Sequence, residues 1–256
     1  MTKWVIITGA SSGIGQALAI RFANSNYNVI AIGRNEVALQ RTKSLTTNGN
    51  IVIATADFSE EDAIDELVKK VNLKDGIQYL IRCAATSEPH ASLTNITREA
   101  LKKIIDVNVM TPIFLTQQLA PHFDTTTRVL FIGSDYVGVN KVRPGVAGAY
   151  GISKSALRTA VEYFRHEYKD TAQIGYLNPG STNTPMFKAM ITTLSQQSIF
   201  NATQPTQPSS VAEFIKAVLE KTSTQDYSAI DWDFRNTEHH QKCIAETSLI
   251  NLQPKL

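Results

Sequence analysis

The stretch "KWVIITGASSGIGQALAIRFANS", residues 3–25, contains three patterns in succession. Residues 3–8 form a short apolar run rich in β-branched side chains, which predicts a buried strand. Residues 8–15 are rich in glycine and serine, which predicts a loop. From residue 14 onwards the apolar side chains recur at helical spacing. The chain is therefore predicted to open with a strand, a glycine loop and a helix.

The glycine loop itself predicts phosphate binding. Gly9 permits a tight turn, Gly13 lets the backbone approach a pyrophosphate, and Gly15 lets the helix pack close to the sheet. The first turn of the helix offers free N–H groups and a partial positive charge to an anion. A plain strand-to-helix turn would not need three glycines so placed. The position directly after the first strand therefore favours a dinucleotide site.

The rest of the chain repeats the alternation of strand and helix. Further apolar runs occur at residues 28–33, 50–56, 77–85, 128–134, 172–180 and 227–232. Such strands separated by helices indicate a parallel sheet that is covered on both faces. We predict one doubly wound, Rossmann-type α/β domain over residues 1–256, with a sheet of about seven strands. Pro112 is expected to kink or split the long helix over residues 97–123.

One segment interrupts this alternation. Residues 181–210 are polar, rich in Thr, Ser and Gln, and broken by prolines. A long structureless run inside a compact domain is usually a lid or a mobile segment, so we predict a substrate lid here. As a helix, Met186, Phe187, Met190 and Ile191 would form one apolar edge able to cover a substrate, although core packing is the commoner role of such residues.

Composition excludes several classes of protein. Lys and Arg number 25 against 23 Asp and Glu, a balance that argues against a nucleic-acid partner. No apolar run approaches the ~20 residues of a membrane span, and the N-terminus lacks a signal-peptide pattern. Cys83 and Cys243 have no metal or redox spacing, which favours a cytoplasmic setting. The adjacent His239 and His240 are too few to predict a metal site.

The stretch "YGISK", residues 150–154, places a phenol and an ammonium one helical turn apart. Residues i and i+4 are neighbours on a helix, so Lys154 can place its charge close to Tyr150. A nearby cation favours phenolate and can lower a tyrosine pKa of about 10 by ~1–3 units. The pair is therefore predicted to be an acid/base device, and the alternative is a packed tyrosine beside a solvated lysine.

Six motifs in this order make the chain resemble the short-chain dehydrogenase/reductase family, and in particular its carbonyl reductases. The likeness covers residues 3–186 and comprises "TGASSGIG", Asp57 in "ADFS", "DVNV" with Asn108, "FIGS" with Ser134, "YGISK" and "NPGSTNTPM". The resemblance implies a hydride-transfer site in which Tyr150 is the general acid, or the base in the reverse direction. It also implies that Ser134 polarises the substrate carbonyl.

The resemblance assigns the two remaining catalytic positions as well. Lys154 would bind the nicotinamide ribose and stabilise the ionised phenol, and Asn108 would keep a water in the proton-relay path. Ser134 could instead cap a turn at the strand end. Asn108 could instead bond the backbone that the Pro112 kink frees, and both of its roles can coexist.

The cofactor is predicted to be NADP(H), with NAD(H) possible. Gly33 stands where an NAD-preferring relative would often carry an acid, and Arg34 follows with a planar fork suited to a 2′-phosphate. Arg34 could instead be an exposed residue at a helix start, and Asp57 could lie beside the adenine or cap the following turn. The full set of expected cofactor contacts is Gly9, Ser11, Ser12, Gly13, Ile14, Gly15, Arg34, Asp57, Phe58, Ala84, Tyr150, Lys154, Pro179, Gly180, Thr182 and Thr184.

Three features depart from the family pattern. "RCAA", residues 82–85, replaces N-x-A-G, so Ala85 costs room beside the cofactor and Arg82 puts support of the sheet there in doubt. Residues 135–149 are longer than usual and should form one wall of the substrate pocket, with Tyr136 and residues 142–146 as lining candidates. The C-terminal strand lacks the usual double glycine, which leaves open the homodimer or homotetramer that the resemblance implies.

The leading hypothesis is an NADPH-dependent reductase that converts a small ketone, aldehyde or diketone into an alcohol. Its partner would be that small carbonyl or alcohol substrate. The "RCAA" replacement motivates a rival, a non-catalytic NADP(H)-binding redox sensor or regulatory protein of the same fold. A third possibility is epimerisation or dehydration through a transient oxidation.

Overall fold

A computed structural model describes residues 3–71, 73–137, 147–196 and 204–250. Within these ranges the strands form one seven-stranded sheet in the order β3-β2-β1-β4-β5-β6-β7, with every neighbouring pair parallel. The strands are β1 (Trp4–Thr8), β2 (Asn28–Gly33), β3 (Asn50–Thr55), β4 (Ile77–Arg82), β5 (Arg128–Ile132), β6 (Gln173–Asn178) and β7 (Asp231–Asp233). The predicted doubly wound fold is confirmed.

Helices connect the strands and cover both faces of the sheet. They are α1 (Gly13–Ala23), α2 (Glu36–Ser44), α3 (Ala63–Lys70), α4 (Arg98–Ile105), α5 (Thr111–Leu119), α6 (Gly148–Glu167), α7 (Pro185–Gln196), α8 (Pro208–Lys221), α9 (Thr224–Ala229) and α10 (Thr237–Ile250). A π-helical turn, Asp106–Met110, joins α4 to α5, and a 3₁₀ turn, Ala120–His122, follows α5.

Two apolar layers sandwich the sheet. On one face, side chains of α1 and α8 pack against the strands, with Phe22 and Ile215 fully buried. On the other face, α3, α5 and α6 contribute Leu67, Leu115 and Val161. Strands covered on both sides must be apolar at nearly every position, which explains the continuous apolar runs of β1 and β5.

The strand order places a crevice between β1 and β4. From β1 the chain winds outward to β2 and β3, then returns to β4 on the opposite side of β1. The connections that follow β1 and β4 therefore leave in opposite directions. Loops diverge at such a switch point, and they leave a ligand site at the carboxyl ends of the strands.

Three local predictions need correction or refinement. Pro112 follows a π-helical turn that interrupts the regular α-helix, although the backbone stays right-handed helical from α4 into α5. Residues 185–196 of the segment expected to be a structureless lid form helix α7, on which Met190 is buried in one cluster with Ala147. Residues 197–203 of that segment lie outside the described ranges. Residues 224–229 form α9 rather than the start of the last strand, because the Tyr227 hydroxyl reaches back to donate to the Val129 carbonyl.

Candidate active site

One cleft at the carboxyl ends of the strands brings the predicted site residues together. Every predicted catalytic and cofactor-contacting residue except Asn108 lines it. Two stretches that follow β4 and β6 contribute Ala84 and Pro179. Segments as far apart as residues 9 and 184 thus share one concave surface, as the parallel sheet requires.

The glycine loop has the backbone conformation that its sequence demands. Gly9 and Gly13 have φ values of 70° and 56°, a left-handed region that side chains disfavour. A Cβ at Gly9 would lie 2.9 Å from the Ala84 nitrogen, and one at Gly15 would lie 2.3 Å from the Gly9 carbonyl oxygen. Only glycine lets this loop pack so closely against β4 and against itself.

The start of α1 is suited to a phosphate. Its N-cap residue, Ser12, makes no capping hydrogen bond with its side chain, and its first turn carries no acidic residue. The first N–H groups of the helix therefore face the cleft without a side-chain acceptor. Together with the helix dipole they form an anion site. The residues present fit the pyrophosphate of a dinucleotide.

Two cations mark one end of the cleft. Arg34 and Lys103 both line it and both are exposed. Burial by itself would raise the pKa of Asp57, but hydrogen bonds from Ser59 and the charges of Arg34 and Lys103 hold that pKa below its ordinary value. Asp57 also accepts hydrogen bonds from the Ser59 nitrogen (3.1 Å) and hydroxyl (2.8 Å). It thus caps a turn and lines the cleft, and its contact with an adenine stays a prediction.

Lys103 was missed by sequence reasoning. It belongs to α4 and follows another lysine, so nothing in the local pattern separates it from a solvated surface residue. At Gly33, the last residue of β2, a Cβ would lie 2.9 Å from the Ser11 hydroxyl oxygen. The end of β2 therefore has little room for a larger side chain unless Ser11 moves.

Tyr150 and Lys154 project from the same side of α6. The lysine nitrogen lies 5.7 Å from the centroid of the phenol ring. Lys154 is only 3% exposed, and its ammonium donates to the Ile132 carbonyl at 2.9 Å. Ser134, two residues beyond β5, has a side-chain hydrogen bond with Tyr150. The end of β5 therefore holds both partners of the phenol.

The prediction that the charge of Lys154 lowers the pKa of Tyr150 is wrong when only the groups of the protein act on the phenol. Burial raises the pKa of Tyr150 to about 12, the Ser134 hydrogen bond opposes this, and Tyr136 and Asp135 add to it. Burial likewise lowers the pKa of Lys154 to about 8, against the opposing effect of Cys83. Loss of water is the largest cause of both shifts, because both groups are buried. The phenol is protonated at neutral pH and can donate a proton.

Asn108 lies behind the cleft rather than in it. Its side chain is fully buried in the π-helical turn. It accepts from the Thr86 nitrogen at 2.8 Å, donates to the Thr86 carbonyl at 2.8 Å and donates to the Ser153 hydroxyl at 2.9 Å. These partners are not the carbonyls next to Pro112, so the alternative role of Asn108, a bond to the backbone freed by the proline, is not supported. Asn108 instead ties the loop after β4 to α6.

Arg82 is buried at the end of β4, where a small polar residue was expected. It is 3% exposed, and its Nη2 donates to the Thr111 carbonyl at 2.6 Å. Nε and Nη1 are buried without a hydrogen-bond partner. Burial lowers the pKa of Arg82 to about 9. The guanidinium thus tethers the first residue of α5 at a high desolvation cost. The neighbouring Ala85 lines the cleft.

An apolar wall stands beside the phenol. The Tyr136 ring meets the Tyr150 ring edge-on at 5.8 Å, and the Tyr136 hydroxyl lies 3.5 Å from the Met190 sulfur. Met186, Phe187 and Met190 of α7 line the cleft, whereas Ile191 does not. The predicted wall residues 142–146 lie outside the described ranges.

The described residues hold no group of three or more His, Cys, Asp or Glu side chains that could bind a metal. Within the same parts of the chain, no helix has the length and apolar character needed to cross a bilayer.

Known proteins are similar to this chain in sequence and in fold. Residues 3–195 match the profile of the family described as short chain dehydrogenase. The chain is 30% identical to rat 17-beta-hydroxysteroid dehydrogenase type 3 over 200 residues, which are 75% of this chain and 64% of that protein.

Two solved structures show the same fold. A short-chain dehydrogenase/reductase from Saccharomyces cerevisiae superposes with a TM-score of 0.80 at 21% identity, covering 93% of this chain and 98% of that one. The closed form of serine dehydrogenase complexed with NADP⁺ superposes with a TM-score of 0.74 at 22% identity, covering 87% and 90%. The glycine loop, the parallel sheet and the extent of the profile match agree: this chain belongs to the short-chain dehydrogenase/reductase family of NAD(P)-dependent oxidoreductases.

Proposed function

We propose that the protein is an NADPH-dependent reductase that converts a small apolar or aromatic carbonyl compound into an alcohol. The observation that carries the proposal is the grouping of Ser134, Tyr150 and Lys154 in the cleft that also holds the glycine loop. A phenol that is protonated at neutral pH suits the direction of reduction, which consumes a proton.

The proposed mechanism divides the work among these side chains. Ser134 donates a hydrogen bond to the carbonyl oxygen and so favours the negative charge that develops there. Tyr150 delivers the proton to the same oxygen. Lys154 supplies a positive charge close to the phenol, which stabilises the phenolate left behind. NADPH, when bound, supplies the hydride that the carbonyl carbon receives.

The cofactor preference is supported by charge. Arg34 and Lys103 are the exposed cations at one end of the cleft, and they suit the extra phosphate of NADP(H). The N–H groups at the start of α1 would hold the pyrophosphate. NAD(H) lacks only the 2′-phosphate, so it should bind the same surface more weakly.

The substrate class is supported by the apolar wall. Tyr136, Phe187 and Met190 pack together beside Tyr150. Such a surface favours apolar or aromatic groups, while the carbonyl oxygen finds its polar partners in Ser134 and Tyr150.

The test follows NADPH absorbance in the presence of acetophenone, benzaldehyde, 2,3-butanedione and a 17-ketosteroid, with NADH compared in parallel. We expect turnover of at least one carbonyl and a lower KM for NADPH than for NADH. Tyr150→Phe should abolish turnover and leave NADPH binding intact, because only the hydroxyl is removed. Tyr163→Phe is the matched control, since Tyr163 lies on the same helix and is 66% exposed. A Tyr150→Phe enzyme that keeps most of its activity would refute the assignment.

The departure at residues 82–85 supports a second candidate, an NADP(H)-binding redox sensor without catalysis. Arg82 and Ala85 alter the region directly beneath and beside the cleft. Tight NADPH binding with no turnover of any carbonyl, together with a protein partner released by one redox form, would favour the sensor over the reductase.

We also propose that the protein works as a homo-oligomer in the cytoplasm. Exposed apolar side chains on α5 and α6, including Phe114 (45% exposed) and Ile152 (47%), support self-association. Cys83 and Cys243 form no disulfide, which suits a reducing compartment. Sedimentation velocity on the purified protein tests the oligomeric state.

A further inference from the structure

A cluster of charged side chains joins the ends of β5, β6 and β7 behind the catalytic groups. Arg235, two residues beyond β7, forms a two-pronged ion pair with Asp135, with Nη1 to Oδ2 at 2.8 Å and Nη2 to Oδ1 at 2.6 Å. The same guanidinium bonds Asp233 through Nε at 3.0 Å and Nη2 at 2.6 Å. One arginine therefore bridges two carboxylates.

Asn178, the last residue of β6, completes the cluster. Its amide nitrogen donates to Asp135 at 2.6 Å and to Asp233 at 3.1 Å, and its amide oxygen accepts from the Gly180 nitrogen at 3.1 Å. The stem of Arg235 lies against Gly180, where a Cβ would come within 3.1 Å of the arginine Cδ. The cluster thus fixes the loops after β5, β6 and β7 relative to one another, and the first two of these line the cleft.

Asp135 is the member that faces the reacting groups. It directly follows Ser134, lines the cleft, and has a side chain only 12% exposed. A charge so poorly exposed to water is weakly screened. Its negative charge is one of the causes that raise the pKa of Tyr150.

The other ionisable groups around Tyr150 come from three elements. Lys154 is on its own helix, Tyr136 follows β5, and Tyr176 is on β6, while Cys83 after β4 faces Lys154. Burial raises the pKa values of Tyr176 and Cys83, so both are neutral near pH 7. Among the described residues, Asp135 is therefore the carboxylate whose charge acts on the phenol, and Arg235 is the cation that pairs with it.

We propose that Arg235 is a positioning residue for the reaction, which compensates the charge of Asp135 and so sets the electrostatic environment of Tyr150. This inference rests on the proposed function of Tyr150 as the proton donor. Arg235 also holds the loop that carries Ser134. A purely structural role would only slow the enzyme, whereas a role in charge compensation moves its pH dependence.

The test measures kcat/KM against pH for the oxidation of 1-phenylethanol or benzyl alcohol with NADP⁺, whichever reacts faster. Oxidation requires phenolate, so the rate rises with pH. Arg235→Met leaves Asp135 uncompensated, which should move the rising limb to higher pH by about one unit, a tenfold loss at a given pH on that limb. Asp135→Asn removes the charge and should move the limb to lower pH, which is a gain in rate that loosening of the loop cannot produce.

The double variant Arg235→Met/Asp135→Asn completes a double-mutant cycle with the two single variants and the wild type. Without the Asp135 carboxylate the arginine pairs only with Asp233 and no longer compensates a charge that acts on the phenol, so the double variant should lie close to Asp135→Asn in the position of its limb. Arg21→Gln is the matched control, because Arg21 is 46% exposed, is ion-paired with Glu213 and lies on α1, away from the cluster. That change should leave the profile where it is.

The outcomes separate this inference from the function on which it rests. If Tyr150→Phe abolishes turnover while the Arg235 and Asp135 variants keep the wild-type limb, the inference is wrong and the reductase stands. If both single variants move the limb in the same direction, charge compensation is likewise wrong. If no alcohol is oxidised and no carbonyl of the panel is reduced, the proposed function fails, and this inference fails with it.

Discussion

Two buried cations lie near the carboxyl end of the sheet, and the structure uses them differently. Lys154 and Arg82 are each 3% exposed, and each donates to one backbone carbonyl, that of Ile132 and that of Thr111. Burial lowers the pKa of the lysine to about 8 and that of the arginine to about 9. The cost of removing a cation from water is thus common to both.

What differs is where the charge is directed. Lys154 borders the cleft and lies beside Tyr150, whereas Arg82 lies behind the cleft with two nitrogens unpartnered. A compact ammonium can direct its charge at a phenol and at a ligand, while the planar guanidinium has more donors than its site can satisfy. Burial of a charge by itself only destabilises the protein. A buried charge such as that of Lys154 is therefore accounted for by the groups it faces.

The largest expected effect comes from removing the charge of Lys154. Lys154→Met keeps the length of the side chain but removes the charge, so carbonyl reduction should fall at least about 100-fold, in line with the size of general-acid contributions. The free energy of unfolding should stay the same or rise, because a desolvated cation is lost. Single-turnover oxidation of NADPH and urea denaturation measure the two quantities. Activity within threefold of wild type would contradict the role of Lys154.

The pH dependence of reduction tests the same charge without a mutation. The pKa of Lys154 is lowered to about 8 by burial, so its ammonium is present below that pH and lost above it. The phenol stays protonated over the same range, because its pKa is raised to about 12. We expect kcat/KM for reduction to fall about tenfold per pH unit above pH about 8. A profile that stays flat to pH 10 would show that the lysine charge is not required.

The smallest expected effect comes from removing the charge of Arg82, and it is a gain in stability rather than a loss of activity. Arg82→Met replaces a poorly satisfied buried cation with an apolar side chain, so the free energy of unfolding should rise by about 1–2 kcal/mol. Urea denaturation at pH 7 measures it, and Arg82→Lys, which keeps a charge, should show no such gain. A destabilised Arg82→Met protein would mean that the bond to Thr111 outweighs the desolvation cost.

The pH dependence of that gain has a definite sign. The pKa of Arg82 is lowered in the folded state to about 9 from an ordinary value of 12.5. Below pH 9 the buried arginine is charged, and it lowers the free energy of unfolding by its full amount. Between these values the unfolded chain binds more protons, and the stability of the wild type rises with pH. The advantage of Arg82→Met over the wild type should therefore shrink above pH 9.

Sequence patterns predicted some of the site and missed the rest for identifiable reasons. Gly9 and Tyr150 belong to short motifs whose chemistry depends on spacing along the chain, and the structure brings them into one cleft. Lys103 and Arg235 belong to no motif, because the cleft carboxylates on which they act, Asp57 and Asp135, come from other segments of the chain. The direction of the Tyr150 pKa shift was also wrong, since helical spacing specifies a neighbour but not the exclusion of water.

Sequence alone determined the parallel sheet, the glycine loop at its first strand and the pairing of Tyr150 with Lys154, because each depends on local periodicity or on residues close in the chain. Only the tertiary structure decided which charges are buried, that Asn108 lies behind the cleft, and that Asp135 meets Arg235 across 100 positions. The physical reason is that desolvation and long-range ion pairing depend on the three-dimensional surroundings of a group, which no single stretch of the chain contains.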